Sequence, residues 1–373
     1  MAELVIAGDL APLGRNQHVF ESGSFPSIFD LELAPSGAMV VANLECPLSG
    51  SGAAIVKGGP ALRAPAGLAS ALWRFGISAV NLANNHIMDY GDDALEETIA
   101  CLSREKISGF GAGRSLQEAL QPLNLTFQNE RFRFFGFAEK EYNIATDRSP
   151  GAAPLELSIM VRALKSITRD SFVVVLFHAG NEYFEYPSPW LRDTCHLAVE
   201  LGAAVVVCQH SHCIGCYERY AGGLIVYGQG NFIFDTVTNK KCWWQGVLLR
   251  VRIEDGSLKH FDFIPFRQAP GAGIVEPLEA ESRATLLKSF EDRSKILLDE
   301  EKFLGEWDRF CESNRRQYQS HLFGLGRIGR RANRLLGFCD LVPGKGQRNI
   351  GNVLRCQSHL EVLRQLYSRE KTC

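Results

Sequence analysis

The feature that most constrains the fold is a repeated one: short, dense apolar runs that each stop at a polar residue. The runs "ELVIAGD", "AMVVANLE", "ISAVNLANN", "FRFFGFAE", "FVVVLFHAG", "AAVVVCQH" and "LIVYGQGN" follow one another between residues 3 and 231. Runs this short, rich in β-branched and aromatic residues, predict buried strands. Several are separated by amphipathic stretches, "PAGLASALWRFG", "GDDALEETIACLSREKI" and "SPWLRDTCHLAVELG". Asp, Ser or Pro near their starts and Gly after their ends are helix boundary signals. Strand alternating with helix predicts an α/β layered domain, its parallel strand pairs covered by helices on both faces.

The pattern changes after residue 242. "WWQGVLLRVRIEDGSLKHFDFIPF" alternates around an "EDGS" turn and predicts an antiparallel hairpin added to the sheet. The layered domain is expected to span residues 1–277. Residues 278–373 are expected to form a helical, basic C-terminal extension, because apolar residues at three and four spacing recur among many charges from residue 279. From His321 to Cys373 there are ten Lys and Arg against three Asp and Glu, although the whole chain has a net charge of -2. The run "GRIGRRANRLLGF" at 326–338 is a short basic amphipathic segment that could dock on the domain, a partner or an anionic surface, or stay solvated.

Charge and composition narrow the function classes. With 22% charged residues and near neutrality, nothing global points to nucleic acid. "MAELVIAGDL" has no basic leader region, and no apolar run approaches a membrane span, so a cytoplasmic location is expected. Eleven scattered cysteines do not resemble a disulfide framework and read as reduced core thiols. "CQHSHCIGC" holds Cys208, Cys213 and Cys216, but a structural zinc would need a further ligand pair at convincing spacing. A nucleotide-binding loop of the G-x-x-x-x-G-K-[ST] kind is absent from the sequence.

The chemistry collects where the runs end. Asp9 follows "LVIAG", Glu45 follows "MVVANL", Asn85 and His86 follow "AVNLAN", His178 follows "VVVLF", and His210 and His212 follow "VVVCQ". In an open α/β sheet the carboxyl ends of parallel strands form the edge where ligands bind. A lone polar residue there is usually hydrogen-bonded structure. Five such ends bearing carboxylate, carboxamide or imidazole make a donor set suited to Mn, Fe or Zn. His210 and His212, two apart, are expected to share a side only if "HSH" is extended. Asp89 is expected to start or cap the helix near Gly91, with support of His86 as the lesser reading.

Taken in order, "GD" at Gly8–Asp9, "NLECPLS" at Asn43–Ser49, "NLANNHIMDYG", "HAGNEY" at His178–Tyr183, "QHSH" at Gln209–His212 and "YGQGNFIFD" at Tyr227–Asp235 resemble the bacterial CapA family. That family is linked to capsule and poly-γ-glutamate synthesis and is similar in fold to calcineurin-like metallophosphoesterases. The resemblance covers roughly residues 3–270. It implies a four-layer α/β/β/α sandwich with two divalent metal ions, Mn, Fe or Zn, at the strand ends.

Carried over by resemblance, Asp9 and His212 hold the first ion. Glu45 stands in the bridging position, and Asn85, His178 and His210 hold the second. His86 matches the histidine that serves as acid. Glu182 and Asn231 lie in matching motifs as candidates for substrate binding or for orienting ligands, although Asn231 could simply make a turn. His18, His196, His260, His321 and His359 are assigned no role.

There are departures from the phosphoesterase pattern. Ala11 stands where a histidine ligand is usual, Glu45 replaces a shorter aspartate, and "HAG" replaces "HWG". The resemblance implies a two-metal hydrolase acting on a phosphoester, amide or acyl bond, in an anionic polymer or a small phosphorylated or acyl substrate. The alternative is a non-catalytic accessory protein that binds polymer or polymer-synthesis enzymes.

Overall fold

The computed structural model describes residues 1–57, 59–165, 170–268, 275–323 and 344–368. Each apolar run named above contributes to the sheets, all but "LIVYGQGN" as a single strand. β1 (Ala2–Ala11), β2 (Met39–Leu44), β3 (Ala79–Asn81) and β4 (Ser108–Phe110) lie side by side and parallel. The predicted hairpin, β14 (Gln245–Glu254) and β15 (Ser257–Gln268), pairs antiparallel with the other edge of β1, and β16 (Val275–Pro277) completes that sheet.

The second sheet contains β6 (Leu123–Phe127), β7 (Glu130–Ala138), β9 (Phe172–His178), β10 (Val205–Gln209), β11 (Tyr217–Tyr220) and β12 (Gly223–Val226). Their order is β11-β12-β10-β9-β7-β6. β5 (Ala112–Gly113) and β8 (Gly151–Ala152) form a small ribbon beside it.

Strand alternation explains the layering, since neighbouring side chains face opposite sides of a sheet. In β1, Leu4 and Ile6 join Val174, Leu176, Val205 and Val207 in a core between the two sheets. Val5 and Ala7 face outward against α2 (Leu68–Phe75) and α3 (Gly91–Arg104), through Leu72, Phe75, Leu95 and Leu102. The outer face of the second sheet is covered by α5 (Leu157–Leu164) and α6 (Pro189–Glu200), through Met160, Leu164, Leu191 and Cys195. The molecule is therefore a four-layer α/β/β/α sandwich.

One predicted strand is two. "LIVYGQGN" does not run on. β12 ends at Val226, the chain turns through Gly228 and Gly230, both with positive φ, and β13 (Asn231–Phe234) joins the first sheet, parallel to the end of β1. Gly8 permits that approach, because a Cβ there would sit 2.0 Å from the Gly230 carbonyl oxygen. The register sets Asn231 beside Asp9.

The C-terminal region contributes α7 (Ala280–Ile296), α8 (Glu300–Phe323), α9 (Gly344–Arg355) and α10 (Gln357–Ser368). Phe184, Trp307, Cys311, Val353, Val362 and Leu366 bury one another where these helices meet the loop after β9. The basic run at 326–338 lies outside the described residues. Among the described residues, no helix is long and apolar enough to cross a membrane.

Candidate metal centre

The strand ends deliver their side chains to one place. Asp9 lies near the end of β1, Glu45 just past β2, His178 at the last residue of β9 and His210 just past β10, all nine-tenths buried or more. They fall into two donor groups, Glu45 with His178 and His210, and Asp9 with Glu45 and His212. Glu45 belongs to both.

Around His178 Nε2 stand Asn85 Oδ1 at 3.0 Å, His210 Nδ1 at 3.1 Å and Glu45 Oε1 at 3.4 Å. On the other side, His212 Nδ1 is 3.5 Å from Asp9 Oδ2, and His212 Nε2 is 4.0 Å from Glu45 Oε1.

The "HSH" segment is not extended. His210 and His212 have φ of 99° and 53°, so a bend, not strand alternation, sends one imidazole to each group. Left-handed conformations at non-glycine residues cost about 1–3 kcal/mol each and persist where the surroundings fix them. Here backbone N–H of His210 donates to Asp9 Oδ2 at 3.2 Å.

Asparagines orient the donors. Asn43 Nδ2 donates to Asp9 Oδ1 at 2.8 Å and lies 3.0 Å from His178 Nδ1, while its Oδ1 accepts from Asn81 Nδ2 at 3.0 Å. Asn231 is fully buried, donates from Nδ2 to the Trp243 carbonyl and presents Oδ1 to His212 Nδ1 at 2.8 Å. That acceptor fixes the proton on His212 Nδ1 and leaves Nε2 facing Glu45. Glu182, by contrast, is exposed at the rim. Sequence reasoning assigned no role to Asn43 or Asn81; their signal was a buried amide at the end of "VVAN" and of "SAVN".

His86 lies close enough to act electrostatically on Glu45. Its Nδ1 lies 2.7 Å from Asp89 Oδ2, and its backbone N–H donates to Asn84 Oδ1 at 3.2 Å. Asp89 is not a helix cap, which corrects the preferred reading of the sequence: no side chain caps α3. Fully buried, Asp89 instead accepts from Leu62 N at 2.7 Å and pairs with Lys57, whose Nζ is also 3.1 Å from His86 Nδ1. A buried carboxylate takes the partners that neutralise it, and Lys57 lies too far away in sequence for spacing to reveal.

The electrostatics describe a site poised for a cation. Burial, then the neighbouring Glu45 charge, raises the Asp9 pKa from 3.8 to about 6. Burial also opposes ionisation of Glu45, but His178 and His212 outweigh it and hold its pKa at about 2. Burial, with His178 and His212 beside it, pushes His210 well below the ordinary imidazole value, so that it is a neutral donor. Both Glu45 oxygens are buried with no hydrogen-bond partner among the described residues. An ionised, buried and unsatisfied carboxylate among imidazoles is the donor set a divalent cation would satisfy.

Among the described residues, neither donor group includes a cysteine. Cys208 lies 3.5 Å from Cys195 in the outer core, and burial pushes the Cys213 thiol up to about 12. Ala11, in the position of the missing histidine, is fully buried within the core of the first sheet's outer face.

Residues 3–236, well over half of the chain, match the family described as bacterial capsule synthesis protein PGA_cap. The chain belongs to the PGA_cap family. Among curated relatives, this PGA_cap chain is 28% identical over 208 residues to the capsule biosynthesis protein CapA of Bacillus anthracis, across 53% of this chain and 49% of that one. It is 30% identical over 162 residues to the PGA biosynthesis protein CapA of Bacillus subtilis (strain 168), across 42% of this chain and 43% of that one. The match thus spans about half the length of these relatives. Among solved structures, the 5'-nucleotidase of Candida albicans SC5314 superposes with a TM-score of 0.42 and 10% identity, covering 78% of this chain and 57% of that one.

Proposed function

We propose that this PGA_cap protein is a metal-dependent hydrolase of capsule or poly-γ-glutamate synthesis. It cleaves a phosphoester, amide or acyl bond in an anionic polymer or a small phosphorylated or acyl precursor, in the cytoplasm. The observation that carries this reading is Glu45, whose two oxygens are buried without a hydrogen-bond partner among the described residues and which belongs to both donor groups. Asn85, His178 and His210 would hold one divalent ion, Asp9 and His212 the other, and Glu45 both. Bound there, a pair of divalent ions supplies an activated water near neutral pH and electrostatic stabilisation of the oxygens in the transition state.

The protein's own groups do the rest. Asp89 anchors His86 through Nδ1, which leaves Nε2 as the atom that gives a proton to a departing alkoxide or amine. Lys57 and Asp89 form a buried pair that keeps the imidazole in one orientation. Asn43 and Asn231 hold Asp9, His178 and His212 in place, so little reorganisation is needed at the moment of reaction. Glu182, exposed at the rim, is assigned to substrate binding, and Asn231 to orienting His212 beneath it.

The second reading, an accessory protein that binds polymer or synthesis enzymes without turnover, is favoured by one observation: Ala11 leaves the Asp9 side with three donors, Asp9, Glu45 and His212. Assaying Mn-loaded protein against a nitrophenyl phosphate, a nitrophenyl ester and γ-linked glutamate oligomers decides between them. Metal-dependent turnover of any of the three supports the hydrolase. Stoichiometric metal with turnover of none supports the accessory reading.

A further inference from the structure

We infer that the C-terminal helices help set the cation affinity of the centre, with Glu141 and Asn352 as positioning residues acting through Asn85. The inference rests on the reading that Asn85 is a cation ligand. A carboxamide can present either its oxygen or its NH2 group, and only the oxygen has a lone pair to offer a metal. In this protein Asn85 Nδ2 donates to Glu141 Oε1 at 3.2 Å, while Oδ1 faces His178 Nε2 at 3.0 Å. An ionised carboxylate only accepts, so Glu141 obliges the amide to turn its NH2 group away from the centre and its oxygen toward it.

Glu141 is itself held from two sides. Its backbone N–H donates to Asn143 Oδ1 at 3.1 Å, and Asn143 Nδ2 donates to the Asn84 carbonyl at 2.8 Å, which ties the loop after β7 to the loop that carries Asn85. The other carboxylate oxygen, Oε2, accepts from Asn352 Nδ2 of α9 at 3.2 Å.

The helices are seated firmly enough to matter. Two residues before Glu141, the buried Glu139 accepts from Ser358 N at 3.1 Å and from the Ser358 hydroxyl, at the start of α10, and from Gly180 N at 3.1 Å. Asn181 Nδ2 donates to the Ser358 carbonyl at 3.3 Å. The α9–α10 corner is thus clamped onto the loops that follow β7 and β9. The chain Asn352–Glu141–Asn85 runs from it to the donor group of His178 and His210. Groups that orient a metal ligand through a hydrogen bond typically change metal affinity by about 10–100-fold when removed.

The test uses the full chain, titrated with Mn2+ alone by calorimetry, with melting of the metal-free proteins as a fold control. Glu141→Ala is expected to weaken Mn2+ binding by about 10–100-fold. Glu141→Gln is expected to restore it to within a few-fold, because the side-chain amide still offers Asn85 an oxygen, and a turn of the Asn352 amide lets its Oδ1, buried and without a partner among the described residues, accept from the new NH2 group. That rescue would not follow from a merely structural role for the charge. Asn352→Ala removes the outer link, leaves the Glu141–Asn85 contact in place, and is expected to weaken binding by a smaller factor. Wild-type affinity in both alanine variants overturns the inference while leaving the cation reading intact. Failure of wild-type protein to bind Mn2+ overturns both. Should Glu141→Ala not fold, Asn352→Ala carries the measurement, and unchanged affinity in that variant overturns the inference.

Discussion

Replacing Glu45 with glutamine separates a ligand from a structural charge, because the two roles predict opposite behaviour in metal-free protein. The carboxylate is fully buried, with no hydrogen bond to either oxygen among the described residues. Its compensation is His178 Nε2 at 3.4 Å and His212 Nε2 at 4.0 Å. With both imidazoles protonated, unit charges at those distances would attract by about 5 and about 4 kcal/mol at an effective dielectric constant near 20. Against this stands the desolvation of the ions, several kcal/mol each.

The two nearly cancel, and imidazoles that lose the carboxylate can shed their protons instead of staying as buried charges, so Glu45→Gln, which preserves shape, is expected to leave metal-free stability at pH 8 within about 1 kcal/mol of wild type. With metal the difference appears. An ion at a hundredfold excess over its Kd stabilises the wild type by about 2.7 kcal/mol, and the variant is expected to lose most of that gain. Chemical denaturation with and without Mn2+ reads both numbers. A loss of about 3–5 kcal/mol without metal would show that Glu45 serves as the buried counter-charge of the histidines. A full Mn2+ stabilisation surviving in the variant would remove it from the ligand set.

His86→Asn is expected to retain metal while turnover falls by about 10²–10⁴ for a poor leaving group, and by much less for a nitrophenyl phosphate; loss of metal would make His86 a ligand instead. The pH dependence follows from Asp9, whose folded pKa of about 6 exceeds its usual 3.8. Protonated Asp9 stabilises the metal-free fold below about pH 4, and this contribution fades as pH rises through 6. Ligation needs the ionised form, so Mn2+ affinity is expected to fall as pH drops through 6, with proton release visible by calorimetry in buffers of different ionisation enthalpy. An affinity constant from pH 5 to 7.5 would contradict the assignment of Asp9. Cys213→Ser is expected to leave metal content unchanged, since that thiol is buried and its pKa is pushed up to about 12.

Much of this was legible in the sequence because the information was local. Most of the apolar runs form their strands, and the polar residues at or just past the ends of β1, β2, β3, β9 and β10 meet at one centre, so Asp9, Glu45, Asn85, His178 and His210 could be assembled from strand ends alone. What failed to show was long-range or fine in geometry. Asp89 reads as a helix start because Asp favours that position, whereas its partner Lys57 comes from a separate loop. "LIVYGQGN" reads as one strand because periodicity does not record the crossover between sheets at Gly228 and Gly230. The contact of Ser358 with Glu139 spans 219 residues, and an amphipathic pattern says that a helix packs without saying on what.

The central claim is that two cations share Glu45. Anomalous diffraction from crystals grown with Mn2+ tests it directly. Two peaks are expected, one bordered by Glu45, Asn85, His178 and His210 and a second, weaker one by Glu45, Asp9 and His212. No anomalous density at either group, in crystals whose protein binds Mn2+ elsewhere or not at all, would contradict the account.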